Sequence, residues 1–375
     1  MTLPADIATF WTAFAVQEPG WLDLSPADWV EQANALVEIH LPGLALELIT
    51  SPDRAGVDLI VTAQGSIELF PLAAQVAAAA PPLRAYRVAA LRPRSTEPDF
   101  PLGMEGFEMS TRDVLVALQQ DGGQVALELR MACAVPPGFE EHAQHMAFIM
   151  VDHVLGEYDF AVKVGAVDFV DEGHHDRDAT WTALADLQPA FDAFWLNALG
   201  RTGLFPEGDG AWDGLELQFD CAVDDEGNAV GDDADSNAAS GREGDRDSDR
   251  DSDEEGDAET GAVMINTSAN AVAMRADLTC ALTLDLAIPD AKALAAAQAL
   301  HEQAATLLQV PQLGILVLTM VQAGRRQALY YVADEKLARQ SLAPLLLRQE
   351  AASLEVKSRF DPAWSGYFEY AAYLM

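Results

Sequence analysis

Between Val223 and Gly261 the chain carries 16 acids, three arginines and almost no large apolar side chain, including the run GDRDSDRDSDEEGD over Gly244–Asp257. Such a stretch cannot bury enough apolar surface to offset the entropy of ordering it, which predicts a disordered acidic insert. Structured-looking sequence stands on both sides, so whatever core the chain builds must come from residues 1–222 and 262–375. At 375 residues the chain exceeds one ordinary domain.

Charge follows the same division. The front 222 residues hold 34 acids and 10 bases, whereas residues 262–375 hold 10 acids and 9 bases; the total is −38. A field of that sign repels nucleic acid and anionic membrane and favours a basic protein partner. Half of the residues are apolar, enough for real cores. The best apolar run, Leu313–Val321, has 9 residues, against roughly 20 for a membrane span. Met1–Phe14 lacks a basic start and contains Asp6, so no secretory leader is expected. Cys133, Cys221 and Cys280 lie far apart, without metal or redox spacing. Together these features predict a cytoplasmic protein with buried thiols.

Periodicity predicts two opening helices, Ile7–Val16 and Pro26–His40, the second with Ser25 as N-cap and Pro26 at its first position. A pattern then occurs twice. Leu44–Thr50 and Val57–Thr62 read as strands, Ile67–Ala80 as a helix and Arg84–Arg92 as a strand. Asp113–Gln119 and Gln124–Met131 read as a hairpin around Asp121-Gly122-Gly123, Phe139–Leu155 as a helix and Phe160–Val170 as a strand. Thr180–Leu199 reads as a linking helix. After the insert come a strand (Asp277–Ile288), a helix (Asp290–Leu308), a hairpin (Leu313–Val321 and Gln327–Val332), a helix (Asp334–Gln349) and a strand (Ser353–Phe360). That order is βαββαβ, the ferredoxin-like arrangement. The expected fold class is therefore α+β, with antiparallel sheets and helices on one face. The expected domains are an α+β module (1–176), a linking helix and strand (177–222), the insert (223–261) and a ferredoxin-like domain (262–375).

Gly314-Ile315-Leu316, Leu329-Tyr330-Tyr331-Val332 and Arg359-Phe360-Asp361-Pro362-Ala363-Trp364 resemble a bacterial family known as domain of unknown function 695. That family is similar in fold to the acidic, ferredoxin-like inhibitor proteins of ribonuclease E. The front half resembles another uncharacterised bacterial module, through Phe10-Trp11, Ile60-Val61-Thr62-Ala63, Ala79-Ala80-Pro81, Leu91-Arg92-Pro93-Arg94 and Leu155-Gly156-Glu157-Tyr158-Asp159. The resemblances imply a fold and a bacterial, intracellular setting, and bring no catalytic residue with them. The near-neutral C-terminal region departs from the acidic inhibitors.

Candidate sites are few. His142 and His145, with Glu141, are the best metal candidates, on the helix Phe139–Leu155. His142 and His153 border the apolar stripe of Phe139, Met146, Ile149 and Met150, while His145 falls with Glu141 and Asp152. An i, i+3 histidine pair lacks the glutamate placement of HExxH, which favours no metal. His174-His175, between acids, reads as a solvated loop. Of the alternating Asp245, Asp247, Asp249, Asp251 and Asp253, a calcium loop begun at Asp245 puts Arg250 and Gly256 where the glycine and bidentate glutamate belong, and one begun at Asp251 places Gly256 correctly but puts Ala262 at the glutamate position. No GxSxG, P-loop or GxGxxG is present, so no catalytic residue and no cofactor is assigned.

Arg84, Arg87, Arg92 and Arg94 gather on one expected strand, either to hold an anion or partner or to pair with local carboxylates, the latter favoured. Trp364, Tyr367 and Phe368 follow Asp361-Pro362, read as N-cap and first residue of a terminal helix. They form either a docking surface or, preferably, part of the domain's own core. The expected function is a non-enzymatic interaction or regulatory protein for a basic partner, such as a nuclease inhibitor or an immunity-type protein. The alternative is an enzyme of unknown chemistry with a site between the two modules.

Overall fold

The computed structural model describes residues 4–50, 56–171, 179–208, 210–219, 259–347 and 354–374. His174-His175, Cys221, the aspartates 245–253 and most of the expected insert lie outside these residues. By density of internal contacts the chain divides into two units. One holds Met1–Pro206, Asn270–Ala281 and Arg359–Met375; the other holds Glu207–Ala269 and Leu282–Ser358.

The first unit opens with α1 (Pro4–Gln17) and α2 (Pro26–His40). The Ser25 hydroxyl accepts the Asp28 N–H at 3.2 Å, satisfying one orphan donor of the first turn of α2. Helical spacing puts Trp29, Ala33, Leu36 and Val37 on its buried face. There Trp29 meets Phe14 and Trp21 with ring centroids 6.0 and 5.8 Å away.

Both expected strand–strand–helix–strand motifs form. In the first, β1 (Ala45–Thr50) pairs antiparallel with β2 (Val57–Thr62), α3 (Phe70–Ala78) crosses over, and β3 (Tyr86–Ala90) pairs parallel with β2. A short hairpin, β4 (Pro101–Met104) and β5 (Phe107–Ser110), follows, which the periodicity did not predict. In the second motif β6 (Val114–Asp121) and β7 (Gln124–Met131) close around Gly122-Gly123, with Gly122 at φ +53°. A positive φ costs glycine little, so the two-residue turn sets the register. After α4 (Glu140–Leu155) and α5 (Glu157–Lys163), β8 (Val164–Phe169) joins β7 in parallel, and β9 (Thr182–Ala183) adds beside β6.

Three expectations need correction here. The three- and four-stranded sheets of this unit are mixed rather than wholly antiparallel, because a helical crossover returns the chain parallel to the strand it left. The first part of the expected strand Phe160–Val170 is helix α5, held by an Asp159–Lys163 pair one turn apart at 2.6 Å. The linking helix is shorter than expected, α6 (Leu187–Asn197), because Thr182 and Ala183 are drawn into the sheet. The second motif buries Val116, Leu127 and Leu129 against Met146, Met150, Val154 and Phe191.

The second unit is built on a six-stranded sheet. β10 (Trp212–Phe219) pairs antiparallel with β11 (Glu259–Asn266), with Phe219 opposite Glu259, so β11 begins inside the expected insert boundary. β12 (Cys280–Ala287), α7 (Ala291–Gln309), β13 (Gly314–Gln322), β14 (Arg325–Val332), α8 (Glu335–Leu346) and β15 (Glu355–Phe360) follow. The sheet order is β10-β11-β13-β14-β12-β15, and the division between the units falls inside β12 and just before the end of β15. Asp290 and Asp334 cap α7 and α8, accepting N–H groups at 2.7 and 2.8 Å. The molecule is thus α+β, as its sequence pattern predicts.

The terminal helix α9 (Ser365–Ala371) starts three residues later than Asp361-Pro362 suggests. Asp361 caps it nonetheless, its carboxylate accepting the Ser365 and Gly366 N–H groups at 2.9 and 3.1 Å. Cys133 and Cys280 are partly exposed rather than buried.

Candidate functional site

The richest polar constellation lies in the first unit, where three sequence-distant segments meet. Gly156 ends α4 at φ +77°, and a Cβ there would stand 2.7 Å from the Arg94 nitrogen and 2.9 Å from the Pro93 carbonyl carbon. Only glycine lets the segment Arg92-Pro93-Arg94 lie so close. Next to it Glu157 is 1 % exposed. Its Oε1 accepts the Ala63 and Gly65 N–H groups at 2.8 and 3.2 Å, and its Oε2 accepts the Arg92 N–H at 3.0 Å. The Glu157 N–H donates to the Arg92 carbonyl at 2.9 Å. A buried charge survives only when surrounded by donors, and this one is.

The Arg92 guanidinium, 8 % exposed, grips Glu47 through two bonds of 2.9 Å and also binds Asp152. Burial alone would lower its pKa; hydrogen bonds and charge from Glu47, with Asp152, more than reverse this. Arg94 binds Asp159 at 2.5 and 2.8 Å and Asp192 at 2.9 Å, and Lys163 reaches the other oxygen of Asp159. Above these pairs opens a cleft of about 540 Å³, lined among others by Glu47, Leu48, Ile49, Asp58, Glu97 and His153. Burial, then the Arg92 charge, lowers the His153 pKa against the pull of Asp152 and Glu47. The imidazole is therefore neutral near pH 7.

The four candidate arginines are not all on one strand. Arg84 precedes β3 and is exposed, Arg87 lies on β3 and pairs with Asp58 at 2.8 Å, and Arg92 and Arg94 follow the strand. Leu91, at φ +60°, turns the chain away from the sheet before them. The structure brings Arg92 and Arg94 together with Leu155–Asp159 and Ala63, segments that the sequence marks only through family resemblance.

His142 meets Glu105 at 3.1 Å and the Phe139 ring at 5.6 Å, while His145 and Glu141 are exposed. Ile149 is half-buried, and the buried stripe of α4 runs instead through Ala143, Met146, Ala147 and Met150. Among the described residues no three His, Cys, Asp or Glu side chains form a metal-binding group. Trp364 and Tyr367 are fully buried, Trp364 donating its indole N–H to the Leu278 carbonyl at 2.8 Å. Neither side chain is on a surface. Phe368 is half-buried, its ring on the Arg201 guanidinium at 4.9 Å.

Two polar residues had no signal in the sequence. Arg201 is buried between the rings of Trp195 and Phe368, at 4.7 and 4.9 Å, and donates to the Asn270 side chain and the Gly123 carbonyl at 2.8 and 3.0 Å. Burial pulls its pKa down to about 10, so it keeps its charge at neutral pH. In the second unit, His301 on α7 is 1 % exposed, and among the described residues neither ring nitrogen has a hydrogen-bond partner. Burial, then the charge of Arg326, pushes its pKa down to about 3.

Among the described residues no helix is long and apolar enough to cross a membrane. No family model, no curated protein and no solved structure matches the chain.

Proposed function

We propose that this protein is a non-enzymatic binder of a basic protein, a masking or inhibitory partner of the kind exemplified by nuclease inhibitors and immunity proteins, working in the bacterial cytoplasm. One observation carries this reading: the front region has few cations, and its most buried ones are spent internally. Residues 1–53 contain no lysine or arginine. Further along, Arg92, Arg94 and Lys163 are bound to carboxylates, and Arg201 is enclosed by aromatic rings. Asp23, Glu31, Glu38 and Glu97 are exposed in this region of few free cations. A face of that kind steers a basic partner and rejects an acidic one.

The same proposal includes a ferredoxin-like core in β12–α7–β13–β14–α8–β15, akin to domain of unknown function 695 and the ribonuclease E inhibitors. Its support is the order of elements together with the neighbours β13-β14-β12-β15 in the sheet. The test is affinity capture on the intact chain from native extract, salt elution, and titration of the purified captured protein. A basic protein whose affinity falls about tenfold or more from low to high salt is the expected result. An acidic partner, a salt-indifferent affinity, or a small molecule turned over by the chain overturns the reading.

A further inference from the structure

Strand β1 is the outer strand of the sheet β1-β2-β3. In its antiparallel register with β2, alternate residues turn their backbone groups away from the ladder. Leu46 is one of these. Its N–H donates to the Asn34 Oδ1 at 2.7 Å, and its carbonyl accepts from the Asn34 Nδ2 at 3.1 Å. The Asn34 amide thus occupies the edge as a peptide group of an added strand would. Two residues on, Leu48 faces the same way, and among the described residues nothing bonds its N–H or C=O. Leu48, Ile49 and Thr50 line the cleft described above, together with Pro93–Glu97.

We infer that the open edge of β1 at Leu48–Thr50 receives an extended, lysine- or arginine-bearing segment of the partner, which continues the pairing that Asn34 begins. This rests on the reading of the protein as a binder of basic proteins and names where the partner docks. Backbone pairing on a free edge supplies register and affinity, and side chains alternating on the added strand supply choice. Charge selects the basic occupant. Every nitrogen of the Arg92 and Arg94 guanidiniums already binds a carboxylate, so their charge is offset within the protein and does little to draw an acidic guest. Around them Glu47, Asp58, Glu97, Asp152, Asp159 and Asp192 outnumber the cations Arg87, Arg92, Arg94 and Lys163. Glu97 is exposed, and among the described residues its carboxylate has no partner.

The probe is a short peptide of alternating lysine and valine, with capped ends, titrated against the full chain. Controls are the same peptide N-methylated at alternate residues and one with glutamate in place of lysine. Expected results are slowed exchange of the Leu48 amide and about tenfold or greater loss of affinity for either control. Leu48→Pro removes an N–H outside the ladder, which an edge strand tolerates, and is expected to weaken the peptide about tenfold more than Leu48→Ala, which removes the side chain and keeps the N–H. Equal affinity for the N-methylated peptide, or an unprotected Leu48 amide at saturation, overturns the inference without recourse to any variant. A captured basic partner indifferent to Leu48→Pro likewise overturns it, yet leaves the broader reading standing. Capture that returns no basic protein sinks the broader reading, on which the exchange measurement does not depend.

Discussion

Glu157 and His301 are each 1 % exposed, each a titratable group enclosed by protein, and their surroundings could hardly differ more. Glu157 is met by three backbone N–H groups. Among the described residues neither ring nitrogen of His301 is bonded, and its neighbour Arg326 has a buried Nε without a partner. Low dielectric strengthens a satisfied polar cluster and penalises an unsatisfied one. The first arrangement locks three chain segments together; the second is tolerated only while the imidazole stays neutral.

The largest expected effect comes from removing the satisfied charge. Glu157→Ala strands the buried Ala63 and Arg92 donors and frees the Gly65 one, and is expected to cost about 4 kcal/mol in chemical denaturation, at roughly 1–3 kcal/mol for each buried group. A loss under about 1 kcal/mol would mean the cluster is not the clasp its geometry suggests.

The second effect is in pH. His301 has a folded pKa near 3, against about 6.5 in the unfolded chain. Between these values the unfolded state binds the extra proton, so stability is full above pH 6.5 and falls as the pH drops. By pH 4 the loss attributable to His301 is about 3 kcal/mol. Arg326 deepens the effect and Asp285 opposes it. His301→Leu is expected to flatten this limb of the stability curve; an unchanged limb assigns the acid sensitivity to carboxylates instead.

Gly156→Ala comes next, since its Cβ would press on the Arg94 and Pro93 backbone at a φ of +77°. A cost of about 2 kcal/mol is expected from thermal or denaturant unfolding. The smallest effect is at the surface. The Arg87–Asp58 pair lies on β3 and β2 with the arginine half exposed, and Arg87→Ala is expected to change stability by about 0.5 kcal/mol or less. A larger change there would erase the contrast between buried and exposed pairs.

Local signals explain how much of the fold was legible. The N-caps at Ser25, Asp290 and Asp334 and the Gly122-Gly123 turn act within a few residues of themselves, and each sits where its chemistry requires. The strand–strand–helix–strand pattern was readable twice, because alternation and helical spacing are properties of short windows. Misjudged boundaries lay where tertiary contacts compete with those windows. Thr182 is taken by β6, and Glu157 is pinned by donors from other segments, so that helix continues where the apolar pattern reads as strand. The expected boundary at residue 262 fared differently, since residues 270–281 and 359–375 pack with the first unit. A fragment starting there would leave Trp364 with Leu278 but remove Phe368 from Gly123 and Arg201.

The amino-acid sequence by itself determined the α+β class, the acidic front, the near-neutral C-terminal region and most helix and turn positions, because these depend on composition and on neighbours along the chain. Only the tertiary structure decided that Glu157 faces Ala63 across 94 residues of chain, that Arg92 spans Glu47 and Asp152, and that Leu48 lies on the outer strand beside them. Those contacts depend on where the backbone crosses itself. No window of sequence short enough to carry a period contains both ends of such a crossing.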